Sequence, residues 1–289
     1  MIWVMELCPG APIAFPTMTP RHIAIAAAFA LIGSAHVGTA EVTVEKDVPF
    51  GDLPRQTLDI YTPDTVTQDT AVMIFFYGGA FTRGSKASVE RMAESYANAG
   101  MLVVAPNYRL FPEVSFPLFV EDAAQAVSHV WRTLQDDGGQ PRLIVVGGWS
   151  SGAYISALIA YDGRYLDAED VPPDAIKGFI GLAGPYQGGL CGGRTCPDIF
   201  PKDTKADWPV LKFVDPSDPP MILIRGTRDR FVDISNLEDL AMAGEAAGLS
   251  VSTLVVQDGF HEDLMSDIAI PESPVREAVD AFLQSVLSP

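Results

Sequence analysis

Basic residues are scarce: 19 Lys and Arg face 37 Asp and Glu in 289 residues, a formal charge of −18. With no Lys/Arg cluster, the long-range field repels both a phosphate backbone and an anionic membrane surface, which excludes nucleic acid and charged lipid as partners. Long apolar runs are also missing. The N-terminal run 23–32 is ten residues long, short of the ~20 that span a hydrocarbon core, so no membrane span is expected in the mature chain. Cysteine and histidine are few, at three and four. Two cysteines with no histidine nearby fall short of a zinc site, and no metal or organic cofactor is expected. Internal repeats and low-complexity segments are absent.

What is present is a hydrophobic content of 48% with interspersed Gly and Pro, enough for one large domain over 41–289 and too short for two with a linker. Arg21 and His22 precede the apolar run, and small residues with Gly38 and Ala40 follow it like a cleavage site. This reads as a signal peptide starting at Met18, behind an upstream extension 1–17 that shows no periodicity, and it predicts export to a periplasm or medium. Cleavage removes one base (Arg21) and one acid (Glu6), so the charge is unchanged. Export suits the two remaining cysteines, Cys191 and Cys196, five residues apart in a Gly-rich turn. A local disulfide is expected there, worth about 2 kcal/mol at most and used to shape one loop; two free buried thiols are the alternative.

Two alternating segments, 41–50 and 56–61, read as antiparallel edge strands. From residue 71 the pattern turns to short continuous apolar runs at 71–76, 101–105, 143–146, 178–182, 221–224 and 251–256, as in strands buried on both faces. Helix-period segments at 89–99, 120–134, 153–161, 235–247 and 274–286 alternate with them. The implied fold class is α/β, a mostly parallel central sheet with helices on both faces and an antiparallel N-terminal edge, with ligand chemistry at the carboxyl ends of the strands. Residues 187–216, rich in Gly, Pro and charge and without periodicity, are a candidate cap or pocket-rim loop.

Gly148-Trp149-Ser150-Ser151-Gly152 sits between a strand and a helix, the context of a nucleophile elbow. Glycines on both sides leave room for a sharp turn that exposes the central hydroxyl. Ser150 is the candidate nucleophile and Ser151, off centre, its competitor. A serine hydroxyl needs a base. Of the four histidines, His22 and His36 fall in the leader and His129 in a helix before the serine, which leaves His261 after the last strand. An orienting carboxylate is expected after the preceding strand, where Asp229 stands; Asp233, closer to the next helix, is the runner-up and suits an N-cap. Tyr77-Gly78-Gly79-Ala80-Phe81 follows the strand 71–76 and can supply oxyanion N–H donors beside that of Ser151.

With these residues in place the sequence resembles the α/β-hydrolase esterases of the hormone-sensitive-lipase-like and carboxylesterase branch, especially feruloyl-esterase-like and kynurenine-formamidase-like members. The resemblance runs from about Thr57 onward, through Leu58-Asp59-Ile60-Tyr61-Thr62-Pro63, the oxyanion stretch, Asn107-Tyr108-Arg109-Leu110, the elbow, Gly181-Leu182-Ala183-Gly184-Pro185-Tyr186, and the Asp229 and His261 loops. It implies a cofactor-free hydrolase acting on small short-chain or aryl esters through an acyl-enzyme, with amide or formamide cleavage as the alternative and a non-catalytic binding module as the different-class one. By analogy Gly79 and Ala80 are the donors. Two departures stand out: Tyr77 replaces the usual histidine before the glycines, and Trp149 precedes the serine. Tyr77, Phe81 and Trp149 are candidate pocket residues, Trp149 equally a packing residue under the elbow.

Overall fold

The computed structural model describes residues 41–136, 143–191 and 194–287. The leader, the upstream extension and Cys8 lie outside the described residues.

Strands β1 (Thr43–Pro49), β2 (Thr57–Thr62), β3 (Val72–Phe76), β4 (Leu102–Pro106), β5 (Ile144–Trp149), β6 (Ile176–Leu182), β9 (Met221–Gly226) and β10 (Val251–Val256) form one eight-stranded sheet in the order β1-β2-β4-β3-β5-β6-β9-β10. A short hairpin pairs β7 (Leu190–Cys191) with β8 (Arg194–Thr195). β1, β2 and β4 pair antiparallel, and every pairing from β4 to β10 is parallel. The helices are α1 (Glu90–Asn98), α2 (Leu118–Asp136), α3 (Ser151–Tyr161), α4 (Arg164–Asp167), α5 (Ser235–Ala247), α6 (Asp263–Asp267) and α7 (Pro274–Leu287).

The order itself positions the site. After β3 the chain crosses to β4 on one side, and β5 then returns to the other side of β3. The loops leaving the carboxyl ends of β3 and β5 therefore part in opposite directions and leave a crevice, the usual ligand position in open α/β sheets. Phe76 pairs with Gly148 across this gap, so the glycine turn and the elbow face each other at one level.

The apolar runs are strands for the expected reason: β3, β4 and β9 are buried along their whole length, covered on both faces. β5 continues three residues past its apolar run because Gly147 and Gly148, which look like turn residues, are strand residues at a crowded position. A Cβ on Gly147 would lie 3.0 Å from the Ile180 side chain. β10 departs from the doubly buried expectation. As the last strand in the order it has one neighbour, and Val255 is 44% exposed. α3 is buried nearly all round, which accounts for its apolar composition on every face.

Among the described residues of 187–216, none lines the cavity between the glycine turn and the elbow. Their described part packs inward: the Tyr154 hydroxyl donates to the Trp208 carbonyl (2.8 Å) and the Val210 N–H to that of Tyr186 (2.9 Å). Phe200 is fully buried against Phe81, Phe116 and Tyr154. The aromatic content of the segment, not its Gly and Pro, decides its place. The side chain of Cys191 lies outside the described residues; Cys196 packs, partly buried, against the core.

Candidate active site

Ser150 joins β5 to α3 with φ 57° and ψ −122°, a conformation of high local strain for a residue with a side chain. The surrounding crowding enforces it. A Cβ on Gly148 would lie 2.4 Å from the backbone of Gly152, and one on Gly152 would lie 2.1 Å from the Phe76 carbonyl. Both flanks of the elbow therefore require glycine. The Ser150 N–H donates to the Leu182 carbonyl (2.8 Å) and its own carbonyl accepts from Tyr154 N–H (3.1 Å), which holds the turn to β6 and starts α3.

The Ser150 hydroxyl lies 2.9 Å from His261 Nε2, and His261 Nδ1 lies 2.7 Å from Asp229 Oδ2. Asp229 Oδ1 accepts the N–H groups of Phe231 (2.8 Å) and Val232 (3.0 Å). Burial pushes the Asp229 carboxyl up, but the His261 ring and these two N–H groups outweigh it and hold the carboxyl below its ordinary value. An ionised carboxylate only accepts, so Nδ1 carries the imidazole proton and Nε2 is left to accept from Ser150. Serine, histidine and aspartate thus meet from loops after β5, β10 and β9. Asp233 does not join them: its Oδ1 accepts the Ser235 N–H (2.9 Å) at the start of α5. Ser151 is also set apart, with its hydroxyl buried and 3.4 Å from that of Tyr108.

Ser150 and His261 open on a cavity of about 230 Å³ that Gly79, Ala80 and Ser151 also line. Gly79, Ala80 and Phe81 all have positive φ, at 149°, 51° and 63°. A Cβ on Gly79 would lie 1.9 Å from the Arg83 carbonyl, so this turn too is tightly wound. At the first turn of α3 the N–H of Ser151 has no intrahelical acceptor by geometry. Phe81 is among the cavity-lining residues, yet is 1% exposed, with its ring stacked on Phe119 at 4.7 Å. Trp149 also lines the cavity, while its Nε1 donates to the His261 carbonyl (2.9 Å). Phe231, 45% exposed, forms an apolar wall, and Arg83 and Glu262 supply the charge.

Tyr77 is a correction. It is fully buried and lies beneath the glycine turn, not on the cavity wall. Arg55 Nη2 donates to its hydroxyl (2.6 Å) and to the Gly84 carbonyl (2.9 Å), and Arg55 Nε to the Tyr108 carbonyl (2.8 Å). Tyr108 stacks on Tyr77 at 4.5 Å and donates to the Tyr77 carbonyl (3.0 Å). Burial pushes both phenols up, so both remain donors at neutral pH. One arginine thereby grips both ends of the turn. Sequence reasoning missed Arg55, whose partners lie 22 to 53 residues away, and no local signal reveals it. It also missed Arg225, which donates to the carbonyls of Val232 (3.0 Å) and Asp229 (3.2 Å) and braces the aspartate loop. A lone charge ending the apolar run 221–224 was its signal.

The remaining motif residues are structural. Asp59 accepts from Lys86 (2.5 Å), and Asp122, fully buried, accepts a bidentate Arg109. These pairs moor the segments flanking the turn. Among the described residues no group of three or more His, Cys, Asp or Glu could hold a metal ion, and no helix is long and apolar enough to cross a membrane.

The family model described as BD-FAE matches residues 58–175. The probable isoprenylcysteine alpha-carbonyl methylesterase of Oryza sativa subsp. japonica is 28% identical over 85% of the chain, which spans 63% of that relative's length. Among solved structures, a truncated carbohydrate esterase from gut microbiota superposes with a TM-score of 0.72 at 20% identity, covering 86% of this chain and 97% of the other. Thermogutta terrifontis esterase 2, phosphorylated by paraoxon, superposes at 0.67 and 21%, covering 86% and 94%. With this sheet order, this elbow and these neighbours, the chain is an α/β-hydrolase-fold protein whose sequence relatives and structural neighbours are esterases.

Proposed function

We propose that the protein is a serine hydrolase of small carboxylic esters, short-chain or aryl. The observation that carries the reading is the continuous relay from Asp229 through His261 to Ser150 at the edge of a small cavity. Ser150 Oγ attacks the ester carbonyl carbon as its proton passes to His261 Nε2, and Asp229 stabilises the imidazolium. The carbonyl oxygen becomes an oxyanion, met by the N–H groups of Gly79, Ala80 and Ser151, each worth about 3 kcal/mol in the transition state. Collapse expels the alcohol, which takes the proton from His261. Water then attacks the acyl-enzyme with His261 as base, releasing the acid and restoring Ser150. No step requires a metal or organic cofactor.

About 230 Å³ suits a small acyl or aryl group, and the apolar faces of Phe81, Trp149 and Phe231 favour an uncharged one. The positively charged leader and the Cys191–Cys196 spacing support export with a local disulfide; two reactive thiols in the unreduced, unfolded protein would refute the pairing.

The decisive test is a fluorophosphonate probe with a panel of graded acyl esters, feruloyl esters, acetylated sugars and formyl-amides. The expected result is labelling of Ser150 and fastest turnover of small esters, with Ser150→Ala lower in kcat by roughly four to six orders of magnitude. Ester hydrolysis by Ser150→Ala near the wild-type rate would overturn the reading.

A further inference from the structure

We infer that Trp149 is a positioning residue that holds the backbone of His261 in register with Ser150, a role that rests on the serine-hydrolase reading above. Nucleophile and base are 111 residues apart, and β6 and β9 stand between β5 and β10 in the sheet. No ladder of strand hydrogen bonds ties one loop directly to the other. Asp229 fixes the Nδ1 side of the imidazole, but a ring held at one nitrogen can still pivot about that bond, and Nε2 has to meet Oγ within hydrogen-bond reach.

Beside the Asp258 N–H bond to Thr227 Oγ1 (2.8 Å) and the Arg228–Asp258 ion pair (2.8 Å), which reach only the aspartate loop, three further ties bear on the His261 loop. The Arg228 N–H donates to the Gly259 carbonyl (2.9 Å), anchoring the loop to the aspartate turn, and the Phe260 N–H donates to Asp263 Oδ2 (2.8 Å), anchoring it to α6. Neither reaches the nucleophile's strand. The third does: Trp149 Nε1–H donates to the His261 carbonyl at 2.9 Å, with the two rings 5.2 Å apart and tilted 43°. The same indole packs on the oxyanion turn so closely that a Cβ on Gly78 would lie 2.7 Å from its Cε3. Its own backbone leads directly into Ser150. One rigid side chain therefore touches the base loop, the oxyanion turn and the nucleophile segment together. Phe231 also packs edge-on against the imidazole, at 5.2 Å.

A positioning role predicts a loss in the chemical step and not in substrate binding. Trp149→Phe keeps a ring and removes the donor; replacement of Trp149 by β-(3-benzothienyl)alanine keeps the indole shape and exchanges only N–H for sulfur, which guards against failure of the phenylalanine variant to fold. With p-nitrophenyl acetate, kcat of both is expected to fall roughly ten- to a hundredfold, the scale of a small misplacement of reacting groups. In the benzothienyl variant, which keeps the apolar face toward the cavity, KM stays within about twofold, and fluorophosphonate labelling slows in parallel with kcat. A benzothienyl variant with wild-type kcat, or one whose loss lies in KM, overturns the positioning role. An active Ser150→Ala overturns the serine-hydrolase reading instead, so the two failures are distinguishable.

Discussion

Asp229 and Asp233 are four positions apart, and their surroundings give them different work. Asp229 is buried against His261 and two N–H groups, whereas Asp233 accepts a backbone N–H at the start of α5. Asp229→Asn is expected to lower kcat about 10⁴-fold by favouring the wrong imidazole tautomer, while Asp233→Asn leaves steady-state kinetics within about twofold. Because the folded Asp229 carboxyl lies below its ordinary value, its contribution to stability is complete above the unfolded pKa of about 3.9. That contribution is lost as pH falls through the folded value. Urea unfolding of wild type and Asp229→Asn should therefore differ most above pH ~4 and converge at lower pH. Tyr77 offers a second check at this scale. Tyr77→Phe removes the hydroxyl that receives Arg55, at an expected cost of about 1 kcal/mol in stability and up to about tenfold in kcat as the oxyanion turn loosens.

The elbow is where local pattern and tertiary contact agree most closely. Gly-x-Ser-x-Gly predicted a sharp strand-to-helix turn, and the contacts supply the reason: Gly148 meets Gly152 across the turn, and Gly152 meets the Phe76 carbonyl at the end of β3. Gly152→Ala is expected to cost about 1–3 kcal/mol by overpacking, read from urea unfolding, with kcat reduced because Ser150 is displaced. Other elements were legible only in part. The glycines that end β5 look like a turn in isolation and are strand because β6 continues beside them. Helices α4 and α6, four and five residues long, are too short to show a period. Residues 187–216 read as a candidate cap or pocket-rim loop; their described aromatics fill the space beside α3, a preference that depends on partners distant in the chain.

At the scale of the molecule, a charge of −18 surrounds a site whose cavity holds one arginine and one glutamate. Repulsion is expected to slow the approach of an anionic ester, so its kcat/KM should rise with added salt as the field is screened, while a neutral ester of the same size stays level. A salt dependence equal for both esters would contradict this. The order of apolar runs and helix-period segments was enough to specify a parallel α/β sheet, because each strand's burial is written locally in its composition. The ordered serine, aspartate and histidine were legible as well, since each follows a strand whose carboxyl end had to face the same crevice. The grip of Arg55 on the glycine turn, the buried place of Tyr77 and the reach of Trp149 to the His261 carbonyl were settled by folding. These contacts join residues tens of positions apart, and their geometry exists only after the sheet has brought the loops of β3, β5 and β10 to one edge.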